Sequence, residues 1–281
     1  MIKAPTTHSI AIIGAGKVGQ SLGHLFSENH HQVTFIGRDT VQHQQCISKA
    51  DVVLITTSDA VIESVCQSIA SFLTQDTIVS HCSGALDSSI LSSAQQKGCY
   101  VASTHPLNTF PTLEASLATF KDTHHNTSLF CEGDAHALKP LSMIFENAGF
   151  NVVKMDSQAK TAYHTACVMA CNYLTVLMDL SLNTAEHGGI DKPRFWQAVQ
   201  PLIQATLTNI TQQGTSQSLS GPIARGDAQT VTQHIDFLSK KDQAIGDIYL
   251  SLAEHALELA KKQGTLSDKQ LDALKIVLDR K

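Results

Sequence analysis

The hexapeptide GAGKVG at residues 14–19, entered from the apolar run SIAII and followed by a helical pattern, constrains this chain more than any other feature. In that setting each glycine has a physical reason. Gly14 permits a tight turn, Gly16 lets the backbone approach a pyrophosphate, and Gly19 lets the next helix pack closely on the strand. The helix carries Val18, Leu22 and Leu25 on one face, and its first-turn amides can point at phosphate oxygens. Gly14, Ala15, Gly16, Lys17, Val18 and Gly19 are therefore predicted to form the phosphate cradle of a dinucleotide site.

The rest of the first half agrees with a nucleotide-binding sheet. After SIAIIG, the runs QVTFIG, DVVLIT, TIVSHC, YVAST, TSLFC and NVVKM have strand length and β-forming residues, and longer helical patterns separate most of them. That alternation predicts an α/β class domain over residues 1–156, a Rossmann doubly wound parallel sheet of about seven strands. In LKPLSMIFENAG, Pro140 is expected near a helix start and Gly149 just past its end. After Asp156 the strand signal stops, and residues 157–281 read as an all-α domain. Ser267 and Gln270 have the spacing of a capping box for the last helix. QQGTSQSLSGPIARGD, residues 212–227, reads as a long polar loop of the kind that is more often functional than idle.

Composition removes several classes of function. A formal net charge of -5 leaves no broad basic surface for nucleic acid. No apolar run approaches the ~20 residues of a spanning helix, and the N-terminus shows no cleavage pattern, so no membrane partner and a cytoplasmic location are expected. The seven scattered cysteines include no CxxC pair and are expected to be reduced thiols. The fourteen histidines lack metal-ligand spacing, so no metal site is expected.

VTFIGRD, residues 33–39, ends the second strand with Gly37 and Arg38 where the adenosine ribose lies in this fold. An acidic residue there would favour NAD. Gly37 removes that obstacle, and Arg38 offers a fork of donors to a 2′-phosphate, so the predicted cofactor is NADP. Asp39 tempers this, because a one-residue shift of the strand end would restore an acidic group. At the next strand ends, Thr57, Ser58 and Ser83 are expected to face the cofactor, with Asp59 as a helix cap. Cys82 is disfavoured as a nucleophile because His81 points to the other side of the strand.

THPLNTFP begins at a strand end and brings His105 and Asn108 toward the crevice, as substrate contacts or as loop scaffold. The helix KTAYHTACVMACNYL carries Lys160, His164 and Cys171 on one stripe, with Asn172 on its flank and Tyr163 beside it. His164 is the leading proton donor, since histidine titrates near neutral pH. Cys167 and Cys171 read as small core residues. In GPIARGD, Asp227 is expected to cap the helix from Ala228, which leaves Arg225 to clamp a carboxylate or join two chains.

These residues together resemble a Rossmann protein of the 6-phosphogluconate dehydrogenase superfamily, which includes ketopantoate reductase, pyrroline-5-carboxylate reductase and prephenate dehydrogenase. More closely, GAGKVG, SHCSGAL, THPLNTFP, YHTACVMACNYL and GPIARGD look like a family that pairs a Rossmann-like domain with a helical domain of the 6-phosphogluconate dehydrogenase C-terminal type. The resemblance implies an NADP-dependent oxidoreductase, a ketopantoate-like 2-oxo acid as substrate, and a homodimer built through the helical domain. It also exposes a departure. Relatives present a lysine and an asparagine four apart on the interdomain helix, whereas Val168 stands four before Asn172 here, so Lys160 or His164 would have to substitute. The alternative is a non-catalytic NADP(H) sensor or scaffold dimer.

Overall fold

The computed structural model describes residues 7–37, 43–110, 112–122 and 127–279. They form two compact units divided between Val168 and Met169. The first contains seven strands: β1 (Ser9–Ile13), β2 (Gln32–Ile36), β3 (Val52–Ile55), β4 (Ile78–His81), β5 (Tyr100–Pro106), β6 (Ser128–Gly133) and β7 (Asn151–Lys154). They make one sheet in the order β2-β1-β3-β4-β5-β6-β7. Its helices are α1 (Lys17–Glu28), α2 (Gln44–Ser48), α3 (Ile62–Ile69), α4 (Ser92–Gln95), α5 (Leu113–Asp122), α6 (Ala135–Asn147) and α7 (Lys160–Cys167).

The apolar runs are continuous because the sheet is covered on both faces. Successive residues of β1 and β3 feed different cores. Ile10, Ile12, Val52 and Leu54 pack with Leu22 and Phe26 of α1 and Leu141 and Phe145 of α6. Ala11, Ile13, Val53 and Ile55 pack with Ile47, Ile62, Cys66 and Ile69 on the other side. The expected all-parallel sheet needs one correction, since β6 runs antiparallel to β5, with Pro106 opposite Leu129. The connection carrying α5 stays at the carboxyl end of β5, so the chain re-enters the sheet from that end. A crossover through α6 then makes β7 parallel to β6.

A second correction concerns α6. Pro140 lies inside this helix, which begins earlier at Ala135, because the buried stripe Ala137, Leu141, Ile144 and Phe145 already holds the first turn against the sheet. Asp134 occupies the N-cap position, yet its carboxylate does not cap the helix; it accepts a hydrogen bond from the Val101 amide at 2.8 Å.

The second unit is helical. It comprises α8 (Tyr173–His187), α9 (Lys192–Ser218), α10 (Ala228–Lys241), α11 (Gln243–Gln263) and α12 (Asp268–Leu278). Val231, Ala253, Leu257, Ala260, Leu274 and Val277 form its core. Asp227 accepts from Thr230 N at 3.0 Å and caps α10, and the Ser267–Gln270 capping box is present at α12. The predicted loop over 212–227 is shorter than expected. Residues 212–218 stay helical around a non-helical Gly214 (φ 77°), because the hydroxyls of Ser218 and Ser216 bond Gly214 O and Leu259 O at 2.7 and 3.2 Å. The Gln270 side-chain amide that completes the capping box also donates to Arg225 O at 2.9 Å, which ties the GPIARGD turn to α12.

The helical stretch Ser157–His187 is long and apolar enough, by length and composition alone, to cross a membrane. The sequence expectation of no such run differs because Lys160, His164, Asn172 and Asp179 interrupt the apolar stretch without interrupting the helix. A single such helix is weak evidence of a span.

The Asp134 to Val101 bond closes β5 onto the turn before α6. Asp134→Ala should lower unfolding stability by about 1–3 kcal/mol, the cost of a buried amide left without a partner, and Asp134→Asn should recover part of the loss in chemical denaturation.

Candidate functional site

The GAGKVG loop leaves β1 where the strand order turns from β2 toward β3, the crevice that holds ligands in open α/β sheets. Gly14 has φ 102°, and a side chain there would meet Thr57 Cγ2 at 2.9 Å. A Cβ on Gly19 would sit 2.3 Å from Gly14 O and 2.5 Å from Thr56 Oγ1, so α1 packs on the turn at glycine distance. Thr56 Oγ1 donates to Gly14 O at 2.6 Å and locks the turn to the end of β3. Gly16 differs from both: nothing lies within 4 Å of its missing Cβ. No side chain caps α1, and Ala15, Gly16 and Lys17 are exposed. Open space before an uncapped helix start is what an incoming pyrophosphate requires. Thr57 Oγ1 is buried without a partner, and Ser58 is exposed beside it. Gly37 is exposed, whereas Arg38 and Asp39 lie outside the described residues.

Beyond β4 the loop 81–88 is held by its own polar groups. The Ser83 hydroxyl donates to Asp59 Oδ2 at 2.8 Å and accepts from the amides of Ala85 and Leu86 at 3.1 and 3.0 Å. Ser83 thus braces the loop through its hydroxyl. Asp59 is not the helix cap expected of it; the carboxylate reaches Ser83 instead. His81 is fully buried, with Nδ1 accepting from Ser83 N at 3.1 Å and Nε2 3.1 Å from Asp87 O. Burial holds its pKa down at about 4. Burial also pushes the Cys82 thiol up to about 12, which agrees with its exclusion as a nucleophile.

Next to this loop four aromatic rings converge. His105 Nδ1 lies 2.7 Å from the Tyr163 hydroxyl, and Phe130 covers the Tyr163 ring at a centroid distance of 4.4 Å. The His105 and His164 rings stand 6.1 Å apart at 80°. Gly84 permits the approach, since a Cβ there would fall 2.6 Å from His164 Nδ1 and 2.9 Å from His105 Nε2. Burial, then the charge of Lys160, lowers the His105 pKa to about 4 and keeps the ring neutral. Burial and Cys167 raise the Tyr163 phenol above its ordinary value.

Lys160 is not a free proton donor. It is 2% exposed, its ammonium donates to Ser103 Oγ, and it lies 3.9 Å from Glu132 Oε1. Glu132 is equally buried and accepts from the Ser88 amide and hydroxyl, each at 2.8 Å. Ser103 in turn donates to Ser83 O at 3.4 Å. Burial lowers the Lys160 pKa and Glu132 opposes that shift.

The structure therefore brings His105, Tyr163 and His164 together and turns Lys160 inward. Cys171, Asn172 and Arg225 belong to the second unit and are exposed; Cys171 is therefore not the core residue expected. A π-helical turn, Val168–Asn172, also breaks the simple four-residue spacing that put Cys171 on the stripe of Lys160 and His164. Sequence reasoning missed Glu132, Ser103, Asp59 and Gly84 as site residues. Glu132 had a signal, an acid at the end of an apolar strand; the pairing of His105 with Tyr163, far apart in the chain, had none.

A sheet of Rossmann order followed by a helical unit defines a dinucleotide-fold protein, and the comparisons agree. The family model described as ketopantoate reductase PanE/ApbA matches residues 10–49, and a domain of unknown function, DUF2520, matches residues 127–256. Among solved structures, protein TM1727 from Thermotoga maritima is 23% identical, with a TM-score of 0.69 over 91% of this chain and 99% of that one. An imine reductase from Myxococcus stipitatus in complex with NADP+ is 13% identical, with a TM-score of 0.63 over 95% and 99%. Plasmodium falciparum pyrroline carboxylate reductase, with NADP bound, is 12% identical, with a TM-score of 0.57 over 92% and 98%. No curated protein matches the sequence. These matches and the fold make the chain similar to proteins that pair a Rossmann-like sheet with a helical domain, oxidoreductase structures with NADP bound among them.

Two outcomes follow from the buried charges. Glu132→Ala strands the Lys160 ammonium and should cost about 3–5 kcal/mol of stability, measured by denaturant unfolding, with Glu132→Gln less severe. His81 has a folded pKa of about 4 against an ordinary 6.5. The unfolded chain therefore binds a proton first as pH falls, and stability present above 6.5 is lost on the way down to 4. His81 alone accounts for on the order of 3 kcal/mol at the acid end. A melting series from pH 7 to 4 should show this slope, flattened in a His81→Gln variant that folds.

Proposed function

We propose that the protein is an NADP(H)-dependent oxidoreductase that reduces a small carbonyl or imine bearing a carboxylate, a ketopantoate-like 2-oxo acid being the first candidate. The observation that carries the reading is the uncapped, open helix start at Gly16 in the same unit as a half-buried His105, Tyr163 and His164 cluster. Redox chemistry needs a hydride carrier, and NADPH would supply the hydride. The neighbours with NADP in their structures and the partial ketopantoate reductase match support this choice of cofactor and class.

The residues divide the work as follows. Gly14 to Gly19 hold the pyrophosphate by backbone amides, with Lys17 adding positive charge. Thr57 and Ser58 flank them at the end of β3, and Arg38 takes the 2′-phosphate. His164 delivers the proton that a reduced carbonyl oxygen or imine nitrogen requires. Lys160, locked to Glu132 and Ser103, positions the segment that carries Tyr163 and His164. Seven free cysteines suit a reducing, cytoplasmic setting. Exposed apolar side chains of the second unit, including Trp196, Leu202, Leu207 and Leu252, support a homodimer. The burial of Lys160 also favours the second reading, a binding protein without turnover, because no other lysine on α7 replaces it.

Fluorescence titration of NADPH and NADH at matched ionic strength should give clearly tighter NADPH binding, with the preference reduced or reversed in Arg38→Glu. Gly16→Val should leave the melting temperature unchanged, since its Cβ meets nothing, while abolishing cofactor binding. With a panel of 2-oxo acids and cyclic imines, wild-type protein should oxidise NADPH and His164→Gln should lose a factor on the order of 10² or more in rate. NADPH binding without turnover of any of them would establish the sensor instead.

A further inference from the structure

The residues just before the first two strands set a buried histidine against a backbone amide. After α1 the chain turns back sharply: His30 takes the left-handed conformation (φ 66°), and the His31 amide donates to Phe26 O at 3.0 Å. This turn fixes His31, the residue before β2, which is 6% exposed. The Phe26 ring meets its imidazole edge-on at a centroid distance of 6.4 Å, and the His8 ring stacks on it at 5.7 Å.

His8, the residue before β1, is held here by its backbone. Its carbonyl accepts from Gln32 N at 2.9 Å, and its amide donates to His31 Nδ1 at 3.2 Å. A backbone amide can only donate, so Nδ1 accepts, and the proton of the neutral ring lies on Nε2. Among the described residues Nε2 has no hydrogen-bond partner, although it is buried. A second proton would therefore remove the one bond that the ring makes. Imidazolium has two N–H donors and no lone pair. Its Nδ1–H would face the His8 amide, donor against donor, and its Nε2–H would still lack an acceptor. A cation with neither donor satisfied is not kept in a buried place.

The surroundings offer that charge no relief. The titratable groups that act on His31 are His8 and His30, which can add only like charge, and Phe26, facing it from α1, carries none. Burial, then His8 and His30, lowers the His31 pKa below its ordinary value. The neutral ring therefore contributes stability above pH 6.5, and this is lost as pH falls below it. The next residue is held differently. Ser9 N and Ser9 Oγ donate to Asp51 Oδ2 at 2.7 and 2.9 Å, bonds in which His31 takes no part.

We propose that His31 is a pH-operated latch on the entry to β1: its neutral ring holds the His8 amide, and the protonated ring releases Thr7 and His8 while Ser9 stays in the sheet. The proton comes from solvent and goes to Nδ1. The latch lies at the amino ends of β1 and β2, opposite the GAGKVG turn and Gly37 that follow their carboxyl ends, and the inference does not depend on the reductase reading.

The test is hydrogen exchange of the full chain, followed by amide NMR from about pH 7 to about pH 4.5, with the His31 ring signals read in the same samples. Each rate is referred to that of an unstructured peptide at the same pH. Protection of the His8 amide should fall on the order of tenfold, the worth of one hydrogen bond, with the midpoint of the His31 ring, while the Ser9 amide keeps its protection. His31→Gln supplies an oxygen that accepts without titrating and should make His8 protection independent of pH. His8→Gln removes the neighbouring ring but not the backbone bond, so the release should remain. If His31→Gln does not fold, the comparison of His8 with Ser9 in wild type decides. The proposal is overturned if His8 and Ser9 lose protection together, which is the general acid unfolding that His81 promotes, or if His8 stays protected to the acid limit. A response that survives in His31→Gln or vanishes in His8→Gln overturns it equally.

Discussion

The arrangement of the first unit depends on one buried ion pair. A lysine ammonium and a glutamate carboxylate, each about 2% exposed, have been removed from water, and such a pair persists only if its remaining donors and acceptors are satisfied. Lys160 and Glu132 meet that condition through Ser103 and Ser88. The demand for satisfaction links the first turn of α7 to β5, to β6 and to the loop after β4. Those elements carry His105, Tyr163, His164 and Gly84, so the electrostatic need of one pair sets the geometry of the candidate chemistry.

Close approach of backbone and ring does the rest. At one end of the strands, Gly14 and Gly19 let the turn and helix touch the end of β3, while Gly16 faces space. Further along the same carboxyl edge, Gly84 lies so close to His105 and His164 that a Cβ there would stand 2.9 and 2.6 Å from their ring nitrogens. Asp59 and Ser83 connect these regions, since Asp59 follows β3 and Ser83 follows β4. The cradle and the histidine cluster are therefore built on adjacent strand ends of one sheet, and both depend on glycine for spacing more than for flexibility.

Much of this was legible beforehand. All seven strands, α1, the caps at Asp227 and Ser267, and the change to helices follow from local patterns, because apolar periodicity and capping chemistry act over a few residues. The direction of β6 was not legible, because it depends on which end of the sheet a connection leaves from. Pro140 misled because packing of the Ala137 stripe outweighs a proline's local penalty. The local pattern reads Asp59 as a helix cap, whereas its carboxylate reaches Ser83 across two different strand ends, a pairing that no local pattern records.

The sequence by itself determined the class of fold, the cradle at residues 14–19 and the existence of a polar helix bearing Lys160, Tyr163 and His164, since each is encoded in contiguous residues. Only the tertiary structure decided that Lys160 is a buried partner of Glu132, that His105 answers Tyr163, and that Gly84 is the surface on which His105 and His164 meet. The physical reason is that burial and hydrogen-bond satisfaction belong to the packed chain. A side chain's charge and proton depend on neighbours that arrive from distant strands, and no local pattern records which neighbours they will be.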